Sequence, residues 1–275
     1  MVLISTWFGF YAGIVKTNQI ISDYDTTFII SLIFGALFSS CGVSALNEYI
    51  ESDLDKLMDR TKNRPIPSGM ISAKSGLIFG IIMSIVGISL FWFFVHKGVA
   101  ILSGLTLILY IFIYTPLKRI TPLNTLVGAI PGALPPLGGW LAATKSITKE
   151  AWILFAILFA WQIPHFLSIA WIYRKDYKKG GFKMYTGENK IMVFRLYIFI
   201  FTFLMIYYSI LPTLVGISGT FYLISAMIIG IIFFFSSMGL ILKQSGKTAK
   251  ILLKTTIFYL PLLLILYIID NNIFG

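Results

Sequence analysis

Long apolar runs alternate with short polar segments along almost the whole chain of 275 residues. A helix of roughly 20 apolar residues spans the hydrocarbon core of a bilayer and satisfies its own backbone polar groups there. The sequence therefore predicts an all-α polytopic membrane protein with a single transmembrane domain over residues 1–275. We predict nine transmembrane helices, at residues 2–16, 27–47, 75–95, 98–114, 124–143, 150–173, 192–216, 219–242 and 251–269.

Composition agrees with this architecture, because 57 % of the residues are hydrophobic, only 12 % are charged and the mean hydropathy is +0.87. The first apolar run, Val2 to Val15, has no small-residue cleavage site after it, so we expect a short first span rather than a signal peptide. Cys41 is the only cysteine and lies within an apolar run. A single cysteine excludes an intramolecular disulfide and a cysteine-based metal site.

The formal charge of +11 has two explanations, binding to nucleic acid or membrane topology. Eighteen of the 22 lysine and arginine residues lie in or beside the segments that follow predicted spans two, four, six and eight. By the positive-inside rule these segments face the cytoplasm, which places the N-terminus inside. We therefore expect a multi-pass protein in the plasma membrane of a prokaryote. The lipid bilayer would surround it, and nucleic acid is not expected as a partner.

The end of predicted span two carries five of the eleven acidic residues, between Glu48 and Asp59. In an ideal helix a step of four residues returns to nearly the same face. The oxygen-bearing side chains that share this face are Asn47, Glu51, Asp55 and Asp59. Glu48 lies near the same sector, whereas Asp53 points away if the helix is regular. The cluster has three explanations: a solvated helix end paired with lysines and arginines, a cation pathway in a transporter, or a Mg²⁺ site.

The segment that follows, Arg60 to Gly69, favours the Mg²⁺ site. It reads RTKNRPIPSG, so acidic residues suited to a metal are followed at once by cations suited to phosphate oxygens, in a loop stiffened by two prolines. Carboxylates, Mg²⁺ and arginines at a membrane surface fit a diphosphate whose apolar tail lies within the helical bundle.

Three ordered blocks of sequence resemble the UbiA superfamily of intramembrane prenyltransferases and, within it, the protoheme IX farnesyltransferases. Asn47-Glu48-x-x-Glu51-x-x-x-Asp55 is similar to the superfamily pattern N-D-x-x-D-x-x-x-D, with glutamate at two aspartate positions, and runs on to Arg64-Pro65. The second block extends from Tyr114 to Trp140. The third joins Trp161-Gln162-Ile163-Pro164-His165-Phe166 to Asp176-Tyr177-Lys178-Lys179-Gly180-Gly181.

The resemblance implies a nine-helix UbiA-type bundle and a set of site residues. Asn47, Glu51 and Asp55 would act on one side of the site and Asp176 on the other. The candidate metal ligands that it implies are Asn47, Glu48, Glu51, Asp53, Asp55 and Asp176. The substrate-binding candidates are Arg60, Lys62, Arg64, Tyr114, Lys118, Arg119, Asn124, His165, Tyr177 and Lys183.

The chemistry implied by the resemblance is transfer of a farnesyl group from farnesyl diphosphate to a vinyl group of haem B, which gives haem O. Mg²⁺ would be the cofactor and haem B a substrate. Haem A synthase and oxidase assembly factors are candidate partners. The alternatives are another UbiA-type prenyltransferase with a quinone or lipid acceptor and, from a different class, a cation-coupled transporter, for which acidic residues are expected near the middle of the membrane.

Two features of the later spans lead to further expectations. His165 follows Pro164 in the middle of span six, where a polar ring needs a partner. It is either an internally hydrogen-bonded histidine or a residue that contacts haem iron or transfers a proton. Three prolines at 131, 135 and 136 are expected to break span five.

Overall fold

The computed structural model describes residues 1–187 and 190–274, and these residues form helices, turns and no strand. The helices, in chain order, are α1 (Val2–Thr17), α2 (Thr26–Asp55), α3 (Ala73–Leu90), α4 (Lys97–Ile108), α5 (Thr115–Ile120), α6 (Asn124–Thr144), α7 (Lys149–Ile172), α8 (Arg174–Lys179), α9 (Ile191–Leu214), α10 (Thr220–Lys243) and α11 (Gly246–Ile269). A 3₁₀ turn covers Ile21–Asp23, and π-helical turns continue α3 at Phe91–Val95, α4 at Leu109–Tyr114 and α11 at Asp270–Phe274.

The prediction of an all-helical membrane protein is confirmed. In the described part of the chain, eight helical segments are long and apolar enough to cross a membrane. The remaining predicted span, at the start of the chain, forms the shorter apolar helix α1 of 16 residues. Spans three and four each combine an α-helix with the π-helical turn that follows it, and span four also includes α5.

Helices α6 and α7 form the centre of the bundle. Within the most apolar stretch of 18 residues in each segment, 72 % of the residues are buried in α6 and 61 % in α7, against 22 % in Ala73–Val95. The largest core cluster joins α6 and α7 to α1, α9, α10 and α11, and a smaller one joins α1 to α2, α4 and the end of α6. The outer helices expose isoleucine, leucine and phenylalanine, as expected for surfaces that face lipid.

Two glycines allow the backbones of α1 and α6 to touch. A Cβ atom added to Gly139 would lie 1.9 Å from the carbonyl oxygen of Thr6, and one added to Gly9 would lie 1.9 Å from that of Pro136. Small residues at such crossings permit the close packing on which helix association in a membrane depends. The contact therefore fixes α1 against the central helix.

The expected break in span five is wrong, because α6 is continuous from Asn124 to Thr144 with Pro131, Pro135 and Pro136 inside it. A proline removes one backbone donor, but surrounding helices maintain a proline-containing helix inside a bundle. The deep burial of α6 and its close contact with α1 provide that support.

A wide turn ends span four where the candidate site begins. The π-helical turn Leu109–Tyr114 precedes α5, and the hydroxyl of Thr115 donates to the carbonyl of Tyr110 over 2.8 Å. Such turns are frequent at functional sites because they change the direction in which side chains project. This one brings Tyr110, Tyr114 and Lys118 to the end of α2.

Candidate active site

The last two turns of α2 bring together three oxygen-bearing side chains. Asn47, Glu51 and Asp55 succeed one another at intervals of four residues and are buried, with exposed fractions of 8 %, 5 % and 1 %. The amide Nδ2 of Asn47 donates to Glu51 Oε2 over 2.7 Å. The predicted stripe on one helix face is therefore present, and it lies at the end of the helix rather than in its middle.

Two cations compensate the buried carboxylates. The Lys118 ammonium lies 2.8 Å from Glu51 Oε1, and it donates to Glu51 Oε2 over 3.0 Å and to Asn47 Oδ1 over 3.1 Å. Arg64 Nη1 donates to Asp55 Oδ2 over 2.7 Å. Lys118 and Glu51 are both largely buried, and removing one member of a buried ion pair typically costs about 3–5 kcal/mol, because it leaves the other charge without a partner. The Arg64 side chain is 37 % exposed, so water screens its pair with Asp55 and that pair contributes less. The acidic stripe is stable because α5 and the loop after α2 supply these charges.

The loop after α2 is held by its own hydrogen bonds. Thr61 donates its hydroxyl to the carbonyl of Asp55 over 3.0 Å, and the carboxylate of Glu48 accepts from the backbone N–H of Ile66 over 2.9 Å. Glu48 therefore fixes the loop that carries Arg64.

A second loop, around α8, closes over the first. Asp176 Oδ2 accepts from the backbone N–H of Arg60 over 3.1 Å, and Lys179 lies 2.7 Å from Asp59. The Arg60 guanidinium lies over the rings of Tyr173 and Tyr177, 5.2 and 5.6 Å from their centroids. The exposed Lys179 and Lys62 lower the pKa of Asp59 to about 2, mainly through hydrogen bonds to its carboxylate, and Asp59 in turn raises the pKa of Lys179.

Asn124, at the start of α6, ties this second loop to α5. Its amide donates to the carbonyl of Lys183 over 2.8 Å, and the backbone N–H of Lys183 donates to the carbonyl of Lys118 over 2.7 Å. The loop, α5 and α6 thus share one hydrogen-bonded junction beside the acidic stripe.

These elements enclose a cavity of about 230 Å³, which we call the polar cavity. Its charged and polar lining comes from Asn47, Glu51, Asp55, Arg60, Arg64, Lys118, Asn124 and Thr125, and its other lining residues include Tyr110, Tyr114, Phe166, Tyr177 and Phe182. Tyr114 fits against α6 because position 128 is glycine: a Cβ there would lie 2.4 Å from its ring. The arrangement can hold a polyanion among cations and aromatic rings.

A second cavity of about 250 Å³, the apolar cavity, adjoins the polar one and shares Tyr110 with it. It lies between α1, α2, α4 and α6, and its lining is largely apolar, with Ala36, Val43, Phe91, Leu102 and Leu134 among the residues. A ligand with a charged head and an apolar tail could place its head in the polar cavity and its tail in the adjoining apolar cavity.

Comparison with known proteins decides the family. The chain matches the UbiA prenyltransferase family over residues 2–262. It belongs to that family. A protoheme IX farnesyltransferase of Solibacter usitatus is 38 % identical over 275 residues, which cover 98 % of this chain and 94 % of the relative. One from Cytophaga hutchinsonii is 36 % identical over 244 residues, which cover 88 % and 85 % of the two chains.

Solved structures show the same UbiA fold. A structure of digeranylgeranylglyceryl phosphate synthase superimposes with a TM-score of 0.75 at 18 % identity and covers 97 % of this chain and 92 % of that one. A UbiA homologue from Archaeoglobus fulgidus, bound to GPP and Mg²⁺, superimposes with a TM-score of 0.60 at 14 % identity and covers 97 % and 96 %. This UbiA protein is thus a multi-pass membrane protein.

The donor set of the polar cavity fits Mg²⁺ bound together with a substrate. Over residues 1–187 and 190–274, no three histidine, cysteine or acidic side chains are close enough to hold a metal by themselves. Asn47, Glu51 and Asp55 offer an amide and two carboxylates, and Glu51 Oε1 is buried without an aligned hydrogen bond from the described residues. Mg²⁺ is usually bound by one or two carboxylates plus substrate phosphates, which matches this incomplete set.

Several residues predicted from the sequence lie outside the polar cavity of this UbiA protein. The carboxylate of Asp53 is 91 % exposed and pairs with Lys56, because it lies on the opposite face of α2. Lys62 is exposed and pairs with Asp59, and Arg119 is exposed in the last turn of α5. Lys183 contributes its backbone to the junction while its side chain is exposed.

His165 also lies outside the polar cavity, on the face of α7 that packs against α11. Its Nδ1 is 2.8 Å from the hydroxyl of Thr256, and its ring stacks on Trp161 at a centroid distance of 4.8 Å. The Trp161 indole donates to the carbonyl of Thr256 over 2.8 Å. This geometry favours the internally hydrogen-bonded alternative over contact with haem iron.

Sequence reasoning missed Tyr110, which lines both cavities, and Thr115, which contacts both Tyr110 and Asn47. Tyr110 precedes Tyr114 by four residues, and that spacing was the available signal.

Proposed function

We propose that this UbiA protein transfers the farnesyl group of farnesyl diphosphate to a vinyl group of haem B and so forms haem O. The observation that carries the proposal is the junction of a cation-rich polar cavity with an apolar cavity, in a chain whose relatives are named protoheme IX farnesyltransferases.

The polar cavity suits the diphosphate. Arg64 and Lys118 lie beside the acidic stripe and Arg60 beside Tyr177, so three cations surround the space for phosphate oxygens. Asn47, Glu51 and Asp55, with Asp176 on the facing loop, would hold Mg²⁺, which when bound neutralises charge on the departing diphosphate. The cations of the chain add to that stabilisation because they are already in place before the bond breaks.

The apolar cavity suits the farnesyl tail, and Tyr110 marks where head and tail meet. When the bond from the first farnesyl carbon to the diphosphate oxygen breaks, a positive allylic carbon remains. The rings of Tyr114 and Tyr177 line the polar cavity and can face that carbon, since the face of an aromatic ring attracts cations. The apolar walls exclude bulk water from it.

The acceptor then completes the reaction. A vinyl carbon of haem B bonds to the allylic carbon, water adds to the positive charge left on the former vinyl group, and one proton is lost. The product carries a hydroxyethylfarnesyl chain. Haem A synthase and oxidase assembly factors are proposed as partners because they act on this product.

The second candidate is a UbiA prenyltransferase with a quinone or lipid acceptor, since the fold is shared with a synthase of an ether-lipid precursor. That likeness concerns the fold alone, whereas the named relatives above 35 % identity favour haem. A transporter fits less well, because Glu51 and Asp55 lie at the end of α2.

A competition assay tests the proposal. Purified protein in lipid receives farnesyl diphosphate, Mg²⁺, haem B and an aromatic quinone precursor in equal amounts. We expect mass spectrometry to show haem that has gained one farnesyl group and one hydroxyl group, and an unmodified quinone precursor. Prenylation of the quinone precursor with haem B unchanged would overturn the choice of acceptor.

We also propose that the polar cavity opens to the cytoplasm of a prokaryote, across its plasma membrane. The support is the bias of lysines and arginines toward the loops that carry this site.

A further inference from the structure

An open, basic depression lies beside the polar cavity, formed by α8 and the loop after it. Its volume is about 700 Å³, within the range of sites for small molecules. We call it the basic groove and define it by the cations that line it, Arg174, Lys175, Lys178, Lys183 and Lys190.

Among the described residues, the lysines of the basic groove have no acidic partner. No carboxylate of this part of the chain forms an ion pair with Lys175, Lys178, Lys183 or Lys190, whereas the neighbouring Lys179 is paired with Asp59. Arg174 donates one N–H to the carbonyl of Trp171 over 2.8 Å, and its other guanidinium N–H groups form no hydrogen bond within the described residues. The groove therefore concentrates positive charge that the described part of the protein does not neutralise, as a site for an anionic ligand would.

The groove and the polar cavity share a wall. Tyr177, Phe182 and Met184 line both of them. A flat molecule could therefore extend from one to the other, with its reactive edge toward Tyr177 and its opposite edge among the lysines.

Haem B has this distribution of groups. Its vinyl groups lie on one edge of the macrocycle, and its two propionates lie on the opposite edge. If a vinyl carbon reaches the allylic carbon in the polar cavity, the propionates point away from the diphosphate and toward the open side. Ammonium groups on flexible stems suit two such carboxylates at a partly exposed position.

We propose that the basic groove binds the propionates of haem B and thereby turns a vinyl group toward the polar cavity. This inference rests on the proposed function, because it takes haem B as the acceptor. It assigns Lys178 and Lys183 to the acceptor and leaves Arg64 and Lys118 to the diphosphate.

The test combines a double variant with a modified haem. The wild type and Lys178→Gln/Lys183→Gln are placed in bilayers of neutral lipid and titrated, by absorption, with haem B and with its dimethyl ester. We expect the double variant to bind haem B roughly tenfold more weakly, as two partly exposed charge pairs would give. The wild type should lose a similar factor on the ester, and the variant should discriminate between the two haems clearly less than the wild type does, because Arg174, Lys175 and Lys190 remain.

Lys250→Gln is the matched control, since Lys250 is an exposed lysine at the start of α11 outside the basic groove and on the same predicted side of the membrane. It should bind haem B like the wild type. Equal affinity of wild type and double variant for haem B would overturn the inference. An equal loss on haem B and on the ester would also overturn it, because an effect on surrounding lipid does not depend on the propionates.

Turnover separates this inference from the proposed function. Wild-type protein that binds haem B more tightly than the ester, but forms no farnesylated haem with farnesyl diphosphate and Mg²⁺, would refute the proposed reaction and leave the propionate site standing. Farnesylated haem formed with no difference between haem B and its ester would do the reverse.

Discussion

At the scale of single residues, Asp55 has the most demanding position in the polar cavity. It is 1 % exposed, its carboxylate pairs with Arg64, and its carbonyl accepts from Thr61. Because Thr61 already occupies the carbonyl, the carboxylate is the group of Asp55 that is placed to bind Mg²⁺ and, through it, to act on the diphosphate. Asparagine has nearly the same shape and keeps an acceptor for Arg64, so it removes the charge and little else.

We predict that Asp55→Asn lowers the rate of farnesyl transfer by about 100-fold to 1,000-fold, the usual loss when one preorganised electrostatic group is removed from an active site. The protein should remain folded and in the membrane. Asp53→Asn is the control, because this carboxylate is 91 % exposed on the other face of the same helix. Rates are measured with saturating Mg²⁺, and a variant at position 55 with full activity would refute the role of the carboxylate.

The contact between Asp59 and Lys179 gives a prediction for pH. The pKa of Asp59 is lowered from 3.8 to about 2 and that of Lys179 is raised. A lowered carboxyl pKa means that the contact is fully present above the ordinary value and weakens only as the pH falls toward about 2. A raised lysine pKa means that it weakens only at strongly alkaline pH.

The ratio of kcat/KM between wild type and Asp59→Asn should therefore be constant from about pH 5 to about pH 9, since both charges persist across that range. Parallel pH profiles in mixed buffers of fixed ionic strength measure it. A ratio that approaches one near pH 5 would contradict the lowered pKa of Asp59, because even a carboxyl with the ordinary pKa of 3.8 is still mostly ionised there.

Local spacing predicted the acidic stripe, but it could not predict distant partners. Asn47, Glu51 and Asp55 follow one helix face, and the same geometry correctly turned Asp53 away. The carboxylate of Glu48 accepts a hydrogen bond from a backbone N–H of the next loop, and the ring of His165 is hydrogen-bonded to Thr256, 91 residues later in the chain. Such contacts depend on how helices pack, which no short pattern contains.

At the scale of helices, the close crossing of α1 and α6 holds together two of the helices that line the apolar cavity. From the sequence, the three prolines predicted a break in this helix, yet α6 is continuous in the packed bundle. The sequence does place glycines at 9 and 139, but only the structure shows that each faces a backbone carbonyl of the other helix.

Gly139→Ala should destabilise the protein by about 1–3 kcal/mol, because its Cβ would collide with the backbone of α1 rather than with a movable side chain. Gly104→Ala, in α4, is the matched control: apart from the neighbouring backbone of its own helix, no atom of the described residues lies within 4 Å of the added Cβ. Alanine there should leave stability unchanged or raise it by up to about 1 kcal/mol. Thermal unfolding in detergent compares the two, and equal stabilities would contradict the close contact.

At the scale of the whole molecule, hydropathy predicted the membrane helices because each must be long and apolar on its own. It could not predict that α6 and α7 are central, since lipid-facing and buried residues in a membrane are similarly apolar. Nor does the fold specify which end faces the cytoplasm, so orientation still rests on the distribution of lysines and arginines.

Orientation can be measured with single cysteines in a Cys41→Ser background. Lys62 lies in the loop after α2 and Lys97 at the start of α4, on opposite sides by our prediction. In intact cells a membrane-impermeant maleimide should label Lys97→Cys, whereas Lys62→Cys should react only after the membrane is opened. The reverse pattern would invert the proposed topology.

Mass spectrometry of haem extracted from cells shows whether this UbiA protein makes haem O, as we propose. The host is a strain that makes haem B but no haem O, expressing either the wild type or Asp55→Asn at equal membrane levels. We predict haem with an added hydroxyethylfarnesyl chain from the wild type and haem B alone from the variant. Haem B alone from cells whose membranes contain folded wild-type protein would contradict it.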